Sequence, residues 1–313
     1  MTEFLRTIMG DIDLDEVGLV LPHEHLFTDL RGPDHEGYAQ ADPDYVAAIM
    51  LPYLEEAYDA GVTALVECST IGVGRNIDVL LRLAQNTRIH LLAPTGLYRE
   101  AYTPEIYKQS TVEELAELWI LELTEAIGMT DSKAGFIKIA LSDDGPTDIE
   151  MRNLRAAVRA SKATTAAIAS HTIGGEPALR ELSILETEGL DPQKFIWVHA
   201  SSEPGQHYHE TVAAHGAFLE FDSIGGHETD HEILASMVLD LFEKGFGNRI
   251  LLSHDAGWFQ PGNPGGQPEG GIRGYTALMD NFIPLLRQRG LDNESIQLLT
   301  VENPKRAFSM KSV

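Results

Sequence analysis

Two histidines stand two apart, His23 and His25, in the run "LPHEHL". Single histidines close two later apolar runs, His171 in "AAIASH" and His199 in "FIWVHA", and "ILLSHD" ends in Asp255. On a strand, side chains two apart share a face, so His23 and His25 aim at one point. Imidazole and carboxylate are the donors that hold Zn, Mn, Co or Fe, and a pair of such ions would be a hydrolytic centre. Lys138 lies inside another apolar run, "GFIKIA". Burial disfavours its ammonium form and favours the neutral amine. A neutral amine combines with carbon dioxide to give a carbamate, a carboxylate on a long stem able to bridge two cations. A lysine that snorkels to a rim, or pairs with an acid, is the alternative.

These residues need elements to carry them. Short apolar runs fall at about 17–22, 62–68, 89–96, 135–141, 166–170, 194–199, 217–222 and 249–253 and read as strands. Helical patterns lie between and after them, at about 44–60, 75–86, 111–127, 147–162, 176–188, 206–215, 229–245 and 275–289. Asp42-Pro43-Asp44 and Gly61 bracket the first helix, and Thr111-Val112-Glu113-Glu114 has the capping-box form. Eight strand-then-helix units in 313 residues predict an α/β chain folded as a single (β/α)8 barrel domain over residues 1–313. An extension occupies about 1–16, and a Gly/Pro-rich loop follows strand eight at about 256–274. An open doubly wound sheet is the alternative, but no Gly-x-Gly-x-x-Gly follows the first strand. In a barrel, all eight strand ends surround one mouth. Residues more than 200 positions apart would meet there.

Composition narrows the partners. A net charge of −25 argues against nucleic acid and against anionic membrane surfaces, leaving a small-molecule substrate. The single cysteine, Cys68, cannot form an internal disulfide; it fits a reducing, cytoplasmic setting and reads as a small core residue. The N-terminus has no long apolar segment of a signal peptide, and no run reaches the length of a membrane span.

Together, "LPHEHL", "GVGRN", "KAGFIKIA", "VHA", "LLSHD" and "ENPKRAF" make the chain resemble, nearly end to end, the phosphotriesterase family of the amidohydrolase superfamily, including its phosphotriesterase-like lactonases. The resemblance implies that His23, His25 and Asp255 hold a more buried metal and His171 and His199 a more exposed one. Carboxylated Lys138 and a hydroxide would bridge them. It also matches Tyr98, in "PTGLYRE", to a tyrosine that overhangs the metals, and it implies homodimers. Lactonases acting on N-acyl homoserine lactones carry Asp-Arg-Tyr after strand seven. Here that place reads Asp222-Ser223-Ile224, so the arginine and tyrosine are missing.

The expected reaction is hydrolysis of a lactone or carboxylic ester by a metal-bridging hydroxide, with phosphotriesters as side substrates. Asp255 would hydrogen-bond the hydroxide and take its proton. Amide or phosphate-ester hydrolysis in the same site, and a non-catalytic binding protein on a barrel, are the alternatives. His254 points to the opposite strand face from Asp255 and reads as structural. Trp258 and Phe259 open the last loop and read as pocket walls. His207 and His209 read as a surface pair at a helix start, and His227 and His231 take no assignment.

Overall fold

In the computed structural model, residues 3–227 and 229–311 are described. The strands rich in Val, Ile, Leu and Phe lie parallel: β1 (Leu19–Glu24), β2 (Val62–Glu67), β3 (His90–Leu92, continued by Pro94–Thr95), β4 (Phe136–Ala140), β5 (Ile168–His171), β6 (Phe195–Val198), β7 (Phe218–Phe221) and β8 (Ile250–Leu252). Each pairs with the next in chain order. The ring closes between β8 and β1. Just past β8, the Asp255 N–H donates to His23 O (3.1 Å), and the His25 N–H donates to Ala256 O (2.9 Å). Glu24, fully buried, seals the seam by accepting from Ser253 Oγ, from the His254 and Ala256 N–H groups, and from His254 Nδ1. This is the expected (β/α)8 barrel.

Helices α1 (Pro43–Asp59), α2 (Ile77–Ala84), α3 (Val112–Thr124), α4 (Asp148–Thr164), α5 (Gly175–Thr187), α6 (Gln206–His215) and α7 (His231–Glu243) follow the first seven strands. After β8 comes α8 (Ile283–Gln288), entered through a π turn at Leu278–Phe282. Local chemistry sets their starts. The Asp42 side chain accepts from the Asp44 N–H, and Thr111/Glu114 and Thr147/Glu150 form full capping boxes. Strand residues alternate between two apolar clusters. Leu65, Ile137 and Trp197 face the helices, whereas Val66, Phe136 and Val198 fill the barrel.

The extension expected at about 1–16 has a structure of its own. Glu3–Thr7 and Gly10–Asp13 form a hairpin, and Met310–Lys311 adds to it as a third strand; residues 1 and 2 lie outside the described residues. Leu5 from this sheet joins Phe136 and Phe308 in the interior cluster and plugs the end of the barrel opposite the catalytic mouth. Among the described residues, no helix is long and apolar enough to cross a membrane.

Candidate metal centre and active site

β1 does not alternate cleanly. Val20 faces the barrel interior and Leu21 the helices, and the pairing with β2 slips between Leu21 and Glu24, around Pro22. The slip returns His23 to the interior, with His25 beside it. Both rings then aim Nε2 at one atom. Asp255 Oδ1 lies 3.1 Å from His25 Nε2 and 3.7 Å from His23 Nε2. The other ring nitrogens are taken. His25 Nδ1 sits 2.8 Å from Ser69 Oγ, and His23 Nδ1 lies 3.0 Å from Glu220 Oε2 and 3.1 Å from Asp222 Oδ2.

A second pair forms beside the first. His199 Nε2 lies 2.7 Å from His171 Nδ1, while His199 Nδ1 lies 2.9 Å from Asp222 Oδ2. Lys138, buried on β4 directly above Phe136, completes the ring of donors. A cavity of about 70 Å³ joins all six residues with Tyr98, Cys68 and Trp258.

The donor set fits metal ions. Asp255 Oδ1 is buried yet has no hydrogen-bond partner among the described residues, a costly state that a cation would relieve. Outer carboxylates and a hydroxyl occupy Nδ1 of His23, His25 and His199, which leaves each Nε2 lone pair for a metal. The donor atoms of His23, His25 and Asp255 lie within 4.8 Å of one another. Those of His23, His199 and Asp222 do too, but Asp222 meets the Nδ1 sides and serves as the orienting partner.

The electrostatics follow from burial and charge. Burial would raise the Asp255 carboxyl, but His23 and His25 beside it hold it well below the ordinary carboxylate range. Burial lowers Lys138 toward the neutral amine, against the pull of Cys68, Glu220, Asp222 and Asp255. Burial, with the basic groups His199, Lys138 and Arg99 close by, pushes His171 well below the usual range.

Other expectations meet the structure unevenly. Tyr98 does overhang the site, its hydroxyl 3.1 Å from His171 Nδ1. The Trp258 ring lies 4.7 Å from that of His25 and forms one wall. Phe259 is not brought to the site. It is buried against Phe27, stacked at 5.8 Å, and serves packing instead. His254 turns away from Asp255, as expected, with Nδ1 on Glu24 and Nε2 accepting from the Leu278 N–H. His207 is exposed, but His209 is buried, with Nε2 on Ala200 O and its ring near Trp197; the pair is not a surface pair. Two positions apart on α6, they point to nearly opposite sides of the helix. His231 Nε2 accepts from the Gly225 N–H, and His227 borders a groove of about 340 Å³ beyond Trp258. Cys68 is a small buried residue, as read, but it also lines the metal cavity.

Three polar residues at the site escaped the sequence reading: Glu220, Asp222 and Arg99. The first two alternate with Leu219 and Phe221 in "FLEFD", on β7 and just past its end, the same signature of charge on an apolar strand that marks Lys138. Arg99 gave no such signal. Its Nη2 touches both Asp143 Oδ1 and His171 Nε2 at the mouth.

The turn that carries His171 is clamped from behind. Ser170 Oγ (2.5 Å) and Thr172 Oγ1 (2.6 Å) both donate to Glu181, a fully buried acid on α5. Burial pushes Glu181 up to about 7, against those two hydrogen bonds. An acid that holds its proton more tightly folded than unfolded costs stability as pH rises from its ordinary value of 4.5 through that raised one. The wild type should therefore lose up to about 3 kcal/mol relative to Glu181→Gln between pH 4.5 and 8. Thermal unfolding of both proteins across that range checks this; parallel curves would exclude it.

Residues 3–308 match the phosphotriesterase family. The chain is 29% identical to an aryldialkylphosphatase of Saccharolobus solfataricus, over 95% of this chain and 97% of that one. It is 28% identical to a phospho-furanose lactonase of Mycoplasmopsis synoviae, over 98% and 92%. Among solved structures, the organophosphorus hydrolase from Deinococcus radiodurans superimposes with a TM-score of 0.89 at 29% identity, over 97% of this chain and 96% of that one.

Proposed function

Because the chain belongs to the phosphotriesterase family, we propose that it is a two-metal hydrolase of a lactone or carboxylic ester. The observation that carries this reading is the convergence of two Nε2 atoms on the unpartnered Asp255 Oδ1, beside the His171–His199 pair and buried Lys138. His23, His25 and Asp255 would hold the inner ion, and His171 and His199 the outer. Lys138, as a carbamate, would reach both. Bound there, two divalent ions bring a water's pKa near neutrality and polarise the oxygen of the scissile group.

The chain's own residues do the rest. Asp255, kept ionised by His23 and His25, accepts the proton of the attacking water on its other carboxylate oxygen, the one not given to the ion. Asp222 and Glu220 fix the tautomers of His23 and His199. Tyr98 and Trp258 narrow the cavity to about 70 Å³, enough for the reacting group alone. The rest of the substrate extends into the groove beyond Trp258.

A hydrolysis screen over lactones, aryl esters, N-acyl amino acids and phosphotriesters, with metal-stripped protein as control, tests the reading. Turnover confined to amides would replace it. Long-chain N-acyl homoserine lactones should be poor substrates, since Ser223 and Ile224 offer neither a cation nor a phenol. Trp258→Ala should shift the ratio of kcat/KM between two lactones by about tenfold and leave metal content intact. High activity on the long-chain lactones, untouched by Trp258→Ala, would refute this.

A further inference from the structure

Three arginines of this chain commit their guanidinium groups to a carboxylate through two hydrogen bonds. Arg6 does so with Asp11, Arg31 with Asp29 and Arg75 with Glu122. Arg99 differs. Only its Nη2 is engaged, with Asp143 Oδ1 and His171 Nε2, while its Nε is buried with no partner among the described residues. A buried guanidinium N–H left unpaired is costly, so Arg99 is not held here by a full set of hydrogen bonds. The side chain lies at the mouth, 23% exposed, following the Tyr98 that walls the cavity. Its planar fork suits two oxygens of a carboxylate or phosphate. The surrounding field does not attract anions, since the chain carries −25. A local cation at the mouth is then what would admit one.

We propose that Arg99 is a specificity residue that receives an anionic oxygen group, carboxylate or phosphate, on the non-reacting part of the substrate. This rests on the hydrolase reading above and narrows its substrate class. Loading of the metal centre favours it. Were His171 to give Nδ1 to an ion, its proton would sit on Nε2, facing Asp143 3.8 Å away, and Nε2 would no longer accept from Arg99. The guanidinium then gives up the imidazole, stays on Asp143 through Nη2, and turns Nη1 toward the substrate.

The test uses metal-loaded protein and three lactones of one ring size: neutral, carboxylate-bearing and phosphate-bearing. The wild type should favour at least one charged lactone by about tenfold or more in kcat/KM, and the two charged arms distinguish carboxylate from phosphate. In Arg99→Gln the charged-to-neutral ratio should fall by about tenfold, and Arg99→Lys should recover part of it. Calorimetry with propionate and methylphosphonate gives a readout apart from turnover; Arg99→Gln should bind the preferred anion about tenfold more weakly at equal metal content. An unchanged ratio in Arg99→Gln, or a wild type that favours the neutral lactone, overturns the proposal. If no lactone is hydrolysed but the anion affinity still falls in Arg99→Gln, the hydrolase reading fails and the anion site stands.

Discussion

Prolonged chelation is expected to abolish hydrolysis, and Zn, Mn or Co to restore it, with about two divalent ions bound per chain at full activity. Without cations nothing brings a water's pKa near neutrality, and Asp255 is too weak a base to activate free water unaided. The loss should exceed about a thousandfold. Metal removal should also lower the melting temperature, because an ion that binds only the folded state stabilises it by mass action. Uptake should weaken in acid. Burial would lower His23, but Cys68, Asp255 and the hydrogen bond to Asp222 raise it well above its ordinary value, so an incoming ion must displace a proton there. Metal analysis paired with activity at each step of a titration checks this. Full activity in a verified metal-free sample would end the two-metal reading.

Lys138→Ala should lose both metal and activity, with a fall of about a thousandfold that formate, acetate or propionate partly reverses. The argument begins with repulsion. An ammonium among two divalent cations is strongly disfavoured, and burial has already lowered Lys138. The neutral Nζ lone pair attacks carbon dioxide, an N–C bond forms, the amine proton leaves to water, and the product is an anion. Gly96 shapes this place, since any Cβ there would strike the Lys138 carbonyl, so β3 and β4 lie too close for another residue. A short acid entering the space left by Lys138→Ala would supply the missing carboxylate. Density for a bare lysine in a fully metallated crystal would contradict the carbamate.

The barrel was legible because its signals were local and repeated. Apolar runs of strand length, a capping box at Thr111, and a glycine after α1 recur at the right spacing, and the observed elements fall within a few residues of those expected. The metal donors were legible because polar groups at the ends of apolar strands stand out. The same logic applied to "FLEFD" would have found Glu220 and Asp222. What stayed hidden depends on direction in space. The slip at Pro22 that turns His23 inward leaves no mark in composition. Phe259 and Trp258 are adjacent aromatics with opposite fates, and only the loop's path separates them. Arg99 resembles any surface arginine until its neighbours across the mouth are known.

The left-handed backbone at the site has a consequence for how this protein can change over generations. Non-glycine residues with positive φ include His199 (65°), Asp255 (50°) and Trp258 (72°), all at strand ends around the mouth. Each such residue costs about 1–2 kcal/mol relative to a relaxed backbone, and a bulky tryptophan there is the least comfortable. Glycine at any of them would relieve the strain. Selection for heat resistance alone would then favour exactly the replacements that remove a ligand, a base or a wall. The proposed hydrolytic centre would therefore persist only under continued selection for turnover, and lineages freed from that demand should lose it first at these positions, long before the β1–β8 seam or the Leu5 plug begins to drift.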